Sequence, residues 1–284
     1  MKRIAFVGCE NSHANAFISY IKENNLDFEI VGVHSEYPEA AKALADKFGV
    51  NILENYDSAV GKIDGLINTA RHGANHYKYC KPYINDNIPM FVDKPITISE
   101  EEAVEFMTIL KDKGIKVCGG SSLKHDDVVI DLKEKAKEGK TIGGIVRAPI
   151  DMVNEYGGFF FYAQHLVEML ITVFGRYPTS VKAFDKNDGI TVVFRYPDFD
   201  VTGFFAKGSY TYHIERFTME GVQGGTTGFS PNWYSREFEE FNAILNGEEM
   251  EMSYKDFIAP VFILNAINRS LNSGNEEQVK EYEV

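Results

Sequence analysis

Between Arg3 and Cys118, short continuous apolar runs alternate with stretches whose apolar positions recur every three or four residues. The runs Arg3–Gly8, Phe28–Val33, Val50–Leu53, Gly65–Thr69, the segment around Phe91 and Lys116–Cys118 read as strands. Their mainly apolar character predicts buried strands of a parallel sheet. Helical periodicity falls between them, at Ala14–Glu23, Glu39–Phe48 and Tyr77–Ile84, with a short helical turn at Asp57–Val60. A further helix opens at Glu100, with Ser99 as its cap and Glu102 closing a capping box. Strictly alternating strand and helix predicts a parallel sheet with helices on both faces.

The pattern changes around Gly119-Gly120-Ser121-Ser122. A charged helix, Asp127–Lys137, and a strand, Gly144–Ile150, lead to Gly157-Gly158 and an aromatic helix over Phe159–Val173. Period-two alternation then predicts strands at Ser180–Phe184, Ile190–Tyr196, Val201–Ala206 and Tyr210–Met219. Turn residues separate them at Asp185–Gly189 and Pro197–Asp200. Helices are expected at Tyr234–Leu245 and Tyr254–Leu271, and the tail Glu276–Val284 either returns as a strand or frays. The fold class is therefore α/β, with residues 1–122 built on a parallel sheet. Residues 123–284 form an α+β unit on an open, mainly antiparallel sheet.

Composition narrows the function classes. A chain of 284 residues, 44% hydrophobic and 25% charged, suits a soluble globular protein of one large or two modest domains. The net charge of −13 argues against a nucleic-acid partner. Cys9, Cys80 and Cys118 are far apart and form no paired motif, which fits a reducing cytoplasm. The apolar run after Met1 is too short for a signal peptide, and no window is long and apolar enough for a membrane span.

The chemistry-bearing candidates lie at predicted strand ends. Lys94, in Phe91-Val92-Asp93-Lys94-Pro95, falls at the carboxyl end of a buried strand, the edge where open α/β sheets bind ligands. The first strand leads through Gly8-Cys9-Glu10-Asn11-Ser12-His13-Ala14 into a helix, an arrangement suited to a dinucleotide. Glu10 and His13 stand where the glycine fingerprint has its second and third glycines. Asn11 and Ser12 offer donors at a helix start, where an anion is favoured. The second strand runs into His34-Ser35, without the acid that would hold a ribose, although Glu36 is close by, and without a cation for a 2′-phosphate. NAD is therefore expected as cofactor, with NADP left open. His72 and His76 have helical i, i+4 spacing, but no third ligand is fixed, and no metal is expected. Tyr210, Tyr212, His213 and Trp233 could line a pocket or an interface equally well.

Together these residues resemble the Gfo/Idh/MocA family of NAD(P)-dependent oxidoreductases, over nearly the whole chain. Asp93-Lys94-Pro95 is similar to the family's Glu-Lys-Pro motif. Asn68-Thr69-Ala70 with His76 resembles its Thr-Pro loop and following histidine. Gly157-Gly158 with His165 and Glu168 resembles its Gly-Gly and Asp-x-x-x-His helix. Ser235–Leu245 and Ser253–Ser270 are similar to its closing helices.

The resemblance implies an amino-terminal dinucleotide-binding Rossmann domain (1–122) and a substrate and oligomerisation domain (123–284). It implies hydride transfer between a nicotinamide cofactor and a hydroxyl-bearing carbon of a sugar, polyol or related small molecule, and a homo-oligomer, dimer or tetramer. Lys94 and His165 carry over as catalytic residues, with Glu168, one turn on, orienting His165. The implied cofactor contacts are Gly8, Glu10, Asn11, Ser12, His13, His34, Ser35, Thr69, Ala70, His76, Asp93 and Lys94. The aspartate of the helix motif is Phe161 here, which cannot take a proton. That departure, with Glu10, His13 and His34, leaves open a non-catalytic family member that binds a ligand or protein partner.

Overall fold

The computed structural model describes residues 1–284. Its elements run β1 (Lys2–Val7), α1 (Ser12–Glu23), β2 (Phe28–His34), α2 (Pro38–Phe48), β3 (Gly65–Asn68), α3 (Ala74–Cys80), β4 (Met90–Asp93), α4 (Glu100–Lys113) and β5 (Val117–Gly120). They continue with α5 (Asp127–Lys135), β6 (Gly143–Ile150), α6 (Phe159–Phe174), β7 (Ser180–Lys186), β8 (Gly189–Arg195), β9 (Asp200–Lys207), β10 (Tyr212–Thr218) and β11 (Gly221–Thr227). α7 (Trp233–Leu245), α8 (Tyr254–Ser273) and β12 (Glu277–Gln278) complete the chain.

The mainly apolar runs of the first half pair in parallel, in the order β2-β1-β3-β4-β5. Strand order reverses between β1 and β3, so the crevice at their carboxyl ends is the place such a sheet offers a ligand. The alternating strands form a second sheet, β11-β10-β6-β9-β8-β7-β12, antiparallel except where β6 meets β9.

Three expectations differ from the structure. Val50–Leu53 is no strand and contributes one isolated bridge, Val33 to Ile52. β11 was not anticipated, because Gly221, Gly224 and Gly225 break the apolar alternation that marks a strand. Ser99 does cap α4, accepting from the Glu102 amide at 3.2 Å, but its hydroxyl turns to the Glu101 carboxylate at 3.0 Å.

The helices of the carboxyl half serve both sheets. On α8, Phe257, Ile258, Val261 and Phe262 join the core beneath the first sheet, whereas Ile263, Leu264, Ala266 and Ile267 join the core of the second. Phe238 and Phe241 of α7 pack with Phe17 of α1 and Phe91 of β4. α8 packs against α6 and so holds it over the strand ends of the first sheet, where the candidate residues gather.

Candidate active site

The cradle at the end of β1 is set by one glycine. Gly8 has φ +67°, and a Cβ there would lie 2.5 Å from Ala70, so the turn packs hard against the loop after β3. Thr69 Oγ1 ties the two together by donating to the Gly8 carbonyl at 3.1 Å. α1 follows with no side-chain cap and no acid in its first turn. Asn11 instead donates from Nδ2 to Asp93 at 2.6 Å. A glycine-tight turn beside an uncapped helix start fits the pyrophosphate of a dinucleotide.

Around that cradle the expected cofactor residues take distinct places. Glu10 reaches sideways, accepting from Ser35 Oγ at 2.7 Å and from the Arg71 amide at 3.1 Å. His34 Nδ1 lies 3.3 Å from the Leu53 carbonyl. His76, expected in the groove, is fully buried behind it, its ring nitrogens facing the carbonyls of Ala70 at 2.8 Å and Pro95 at 2.5 Å. It joins the loop after β3 to the loop after β4. Asp93 is likewise fully buried, accepting from the Lys94 amide at 2.6 Å as well as from Asn11. It positions its neighbours from below.

Lys94 and His165 meet across the two halves of the chain. The Lys94 ammonium donates to the Phe161 carbonyl at 2.9 Å and sits 4.2 Å from the centre of the Phe161 ring. The position that lost its carboxylate therefore still holds the lysine, through its backbone and ring. Burial pushes Lys94 below its ordinary pKa, against the pull of Asp93. Burial, with the charges of Lys94 and His13, also pushes His165 well below 6.5, so its imidazole is neutral near pH 7. Both residues line a cavity of about 220 Å³ with Asn11, Ser12, Tyr212 and Trp233. That is less than the roughly 300–1,000 Å³ of drug-sized pockets and suits a small substrate.

Glu168 does not orient His165. Its carboxylate accepts from Gln164 Nε2 at 3.1 Å, inside the helix packing. The partner of His165 is Ser121, whose Oγ lies 2.7 Å from Nδ1. In the sequence Ser121 stands out only as part of a change in composition, because no spacing rule links the end of β5 to α6. Tyr212 and Trp233 do line the cavity, whereas His213 faces Glu215 at 3.0 Å.

A charged layer missed in the sequence lies beneath the cavity. His13 is buried between Asp93, 3.2 Å from Nδ1, and Glu237 of α7, 3.3 Å from Nε2. Neither contact is an aligned hydrogen bond. Burial alone would lower the His13 pKa, but the two carboxylates outweigh it and hold the group above 6.5. Burial raises Glu237, with His13 opposing. The sequence marked His13 as a lost glycine; its partner lies more than two hundred positions away, on a helix that read as ordinary packing.

A model of the oxidoreductase family with an NAD-binding Rossmann fold matches residues 2–121. Those residues match the NAD-binding domain of the Gfo/Idh/MocA oxidoreductases. The uncharacterized oxidoreductase YhhX of Escherichia coli (strain K12) is 21% identical, over 99% of this chain and 92% of that protein. The fold matches a putative myo-inositol dehydrogenase from Sinorhizobium meliloti 1021 with a TM-score of 0.85 at 17% identity, covering 99% of this chain and 100% of that one. It also matches scyllo-inositol dehydrogenase from Lactobacillus casei, solved with bound NAD(H) and scyllo-inositol, at TM-score 0.85, 15% identity, and 98% and 99% coverage. The strand ends that form the crevice, from β1 to β5, lie within the residues this NAD-binding model matches.

Proposed function

We propose that the protein is an NAD-dependent dehydrogenase or reductase acting on a hydroxyl-bearing carbon of a small sugar, polyol or related compound. The observation that carries this reading is the convergence of Lys94 and His165 on one small cavity that also contains the start of α1. Bound NAD would accept hydride from the substrate carbon or, reduced, return it. The chain supplies the rest. Asn11, Ser12 and the first amides of α1 would hold its pyrophosphate. Lys94 donates to the reacting oxygen and offsets the negative charge that develops as its proton leaves. His165 takes that proton. In the tautomer that donates from Nδ1 to Ser121, Nε2 keeps its lone pair for this purpose. Tyr212 and Trp233 wall the cavity and exclude water.

The fold matches to inositol dehydrogenases make cyclic polyols the first substrates to try. Sugars, inositols and their keto forms are to be offered with NAD or NADH while the NADH absorbance band is followed. Turnover of one of them is the expected result. NADH fluorescence unchanged at high protein concentration would sink the reading. It would favour a family member that binds a ligand without catalysis, a reading supported by the engagement of Lys94 with Phe161.

A further inference from the structure

In nucleotide-binding sheets of this type, an acid at the end of the second strand holds the adenosine ribose. Here β2 ends at His34 and Ser35 follows, so no acid stands there. Position 10 would ordinarily be glycine, clearing space for the pyrophosphate. The Glu10 side chain leaves that space sideways and spans the gap between two strand ends. Oε2 accepts from Ser35 Oγ at 2.7 Å and Oε1 accepts from the Arg71 amide at 3.1 Å. Ser35 is itself fixed, because its Oγ accepts from the Tyr37 amide at 3.1 Å. A carboxylate is therefore present at the end of β2, delivered from the β1 turn.

We propose that Glu10 is the cofactor-selecting residue: it binds the ribose hydroxyls of NAD in place of the missing β2 acid and turns away a 2′-phosphate. This rests on the NAD-dependent reading above. Each carboxylate oxygen has about two acceptor sites. With one protein donor apiece, each Glu10 oxygen keeps one free, the number a vicinal diol needs. Nearby cations are committed elsewhere. Lys78 pairs with Glu36 at 3.2 Å, and the Arg71 guanidinium donates to the Tyr156 hydroxyl at 3.1 Å. A 2′-phosphate would meet the Glu10 charge without an offsetting cation.

The test is titration of the purified protein with NADH and with NADPH, followed by nicotinamide fluorescence, for wild type, Glu10→Gln and Glu10→Ala. Thermal melting checks that each variant is folded. Wild type is expected to prefer NADH. In Glu10→Gln the ratio of the two affinities is expected to shift toward NADPH by about tenfold or more, the scale of one charge contact near a protein surface. Glu10→Ala should shift it in the same direction and also weaken NADH. An unchanged ratio in both variants, with NADH still bound, overturns the assignment of Glu10 and leaves the NAD reading standing. Equal tightening of both nucleotides would also overturn it, since Glu10 would then be an obstacle to the pyrophosphate. If wild type binds neither nucleotide, the NAD reading itself fails and takes this one with it.

Discussion

A histidine can accept a proton only while neutral, and burial beside Lys94 keeps His165 so. In the oxidation direction the rate should stay flat as pH falls to 6.5 and drop only below it, because the folded pKa is depressed. A pH–rate profile checks this, with His165→Asn slow and lacking that acid limb; a limb centred at or above 6.5 would contradict the assignment. His13 has the opposite sign. Its folded pKa is raised above 6.5, so its stabilisation is complete below 6.5 and is lost as pH rises through the folded value. His13→Leu leaves Asp93 and Glu237 buried without their cation, a loss of about 3 kcal/mol or more. Denaturant unfolding should show the gap between wild type and variant narrowing as pH rises above neutrality.

At the scale of elements, the turn from β1 into α1 is the joint on which the site depends. Gly8→Ala places a methyl against Ala70 at a positive φ, which costs about 1–3 kcal/mol in strain and forces the two loops apart. A lower melting temperature together with weaker NADH binding is expected; a variant that melts normally and binds normally would show the turn to be slack. This joint was legible in the sequence because it is local: an apolar run, a glycine and a helix start are neighbours. Lys94 was legible for the same reason, from a buried strand closed by a proline. The partners of these residues were not. Ser121 reaches His165, and Glu237 reaches His13, only after α6 and α7 fold over the strand ends. Glu168 has the right helical spacing to touch His165, but Gln164 lies one turn before it and takes its carboxylate. β11 escaped notice because glycines suppress its alternation, although its pairing with β10 is continuous from Thr218 to Tyr212.

For the molecule as a whole, the second sheet buries one face against α6 and α8 and leaves the other open. Phe205 and Val192 point inward, whereas Phe184 on β7 and Phe204 on β9 are 44% and 38% exposed, with Thr191 paired between them. An open sheet face carrying aromatic rings is expected to be covered by a second copy of the chain. Light scattering at micromolar concentration should give a dimer or tetramer, and Phe204→Glu should shift it toward monomer. A monomeric wild type would contradict this expectation.

The most direct test of the whole account is the turnover of Lys94→Met on a substrate found by the polyol screen. Methionine keeps the stem and removes the ammonium, so the variant should melt near the wild-type temperature. Its turnover should fall by roughly two orders of magnitude or more, the usual scale for losing one electrostatic or acid–base partner. Wild-type turnover in Lys94→Met would contradict the account, which assigns the charge on the reacting oxygen to the Lys94 ammonium.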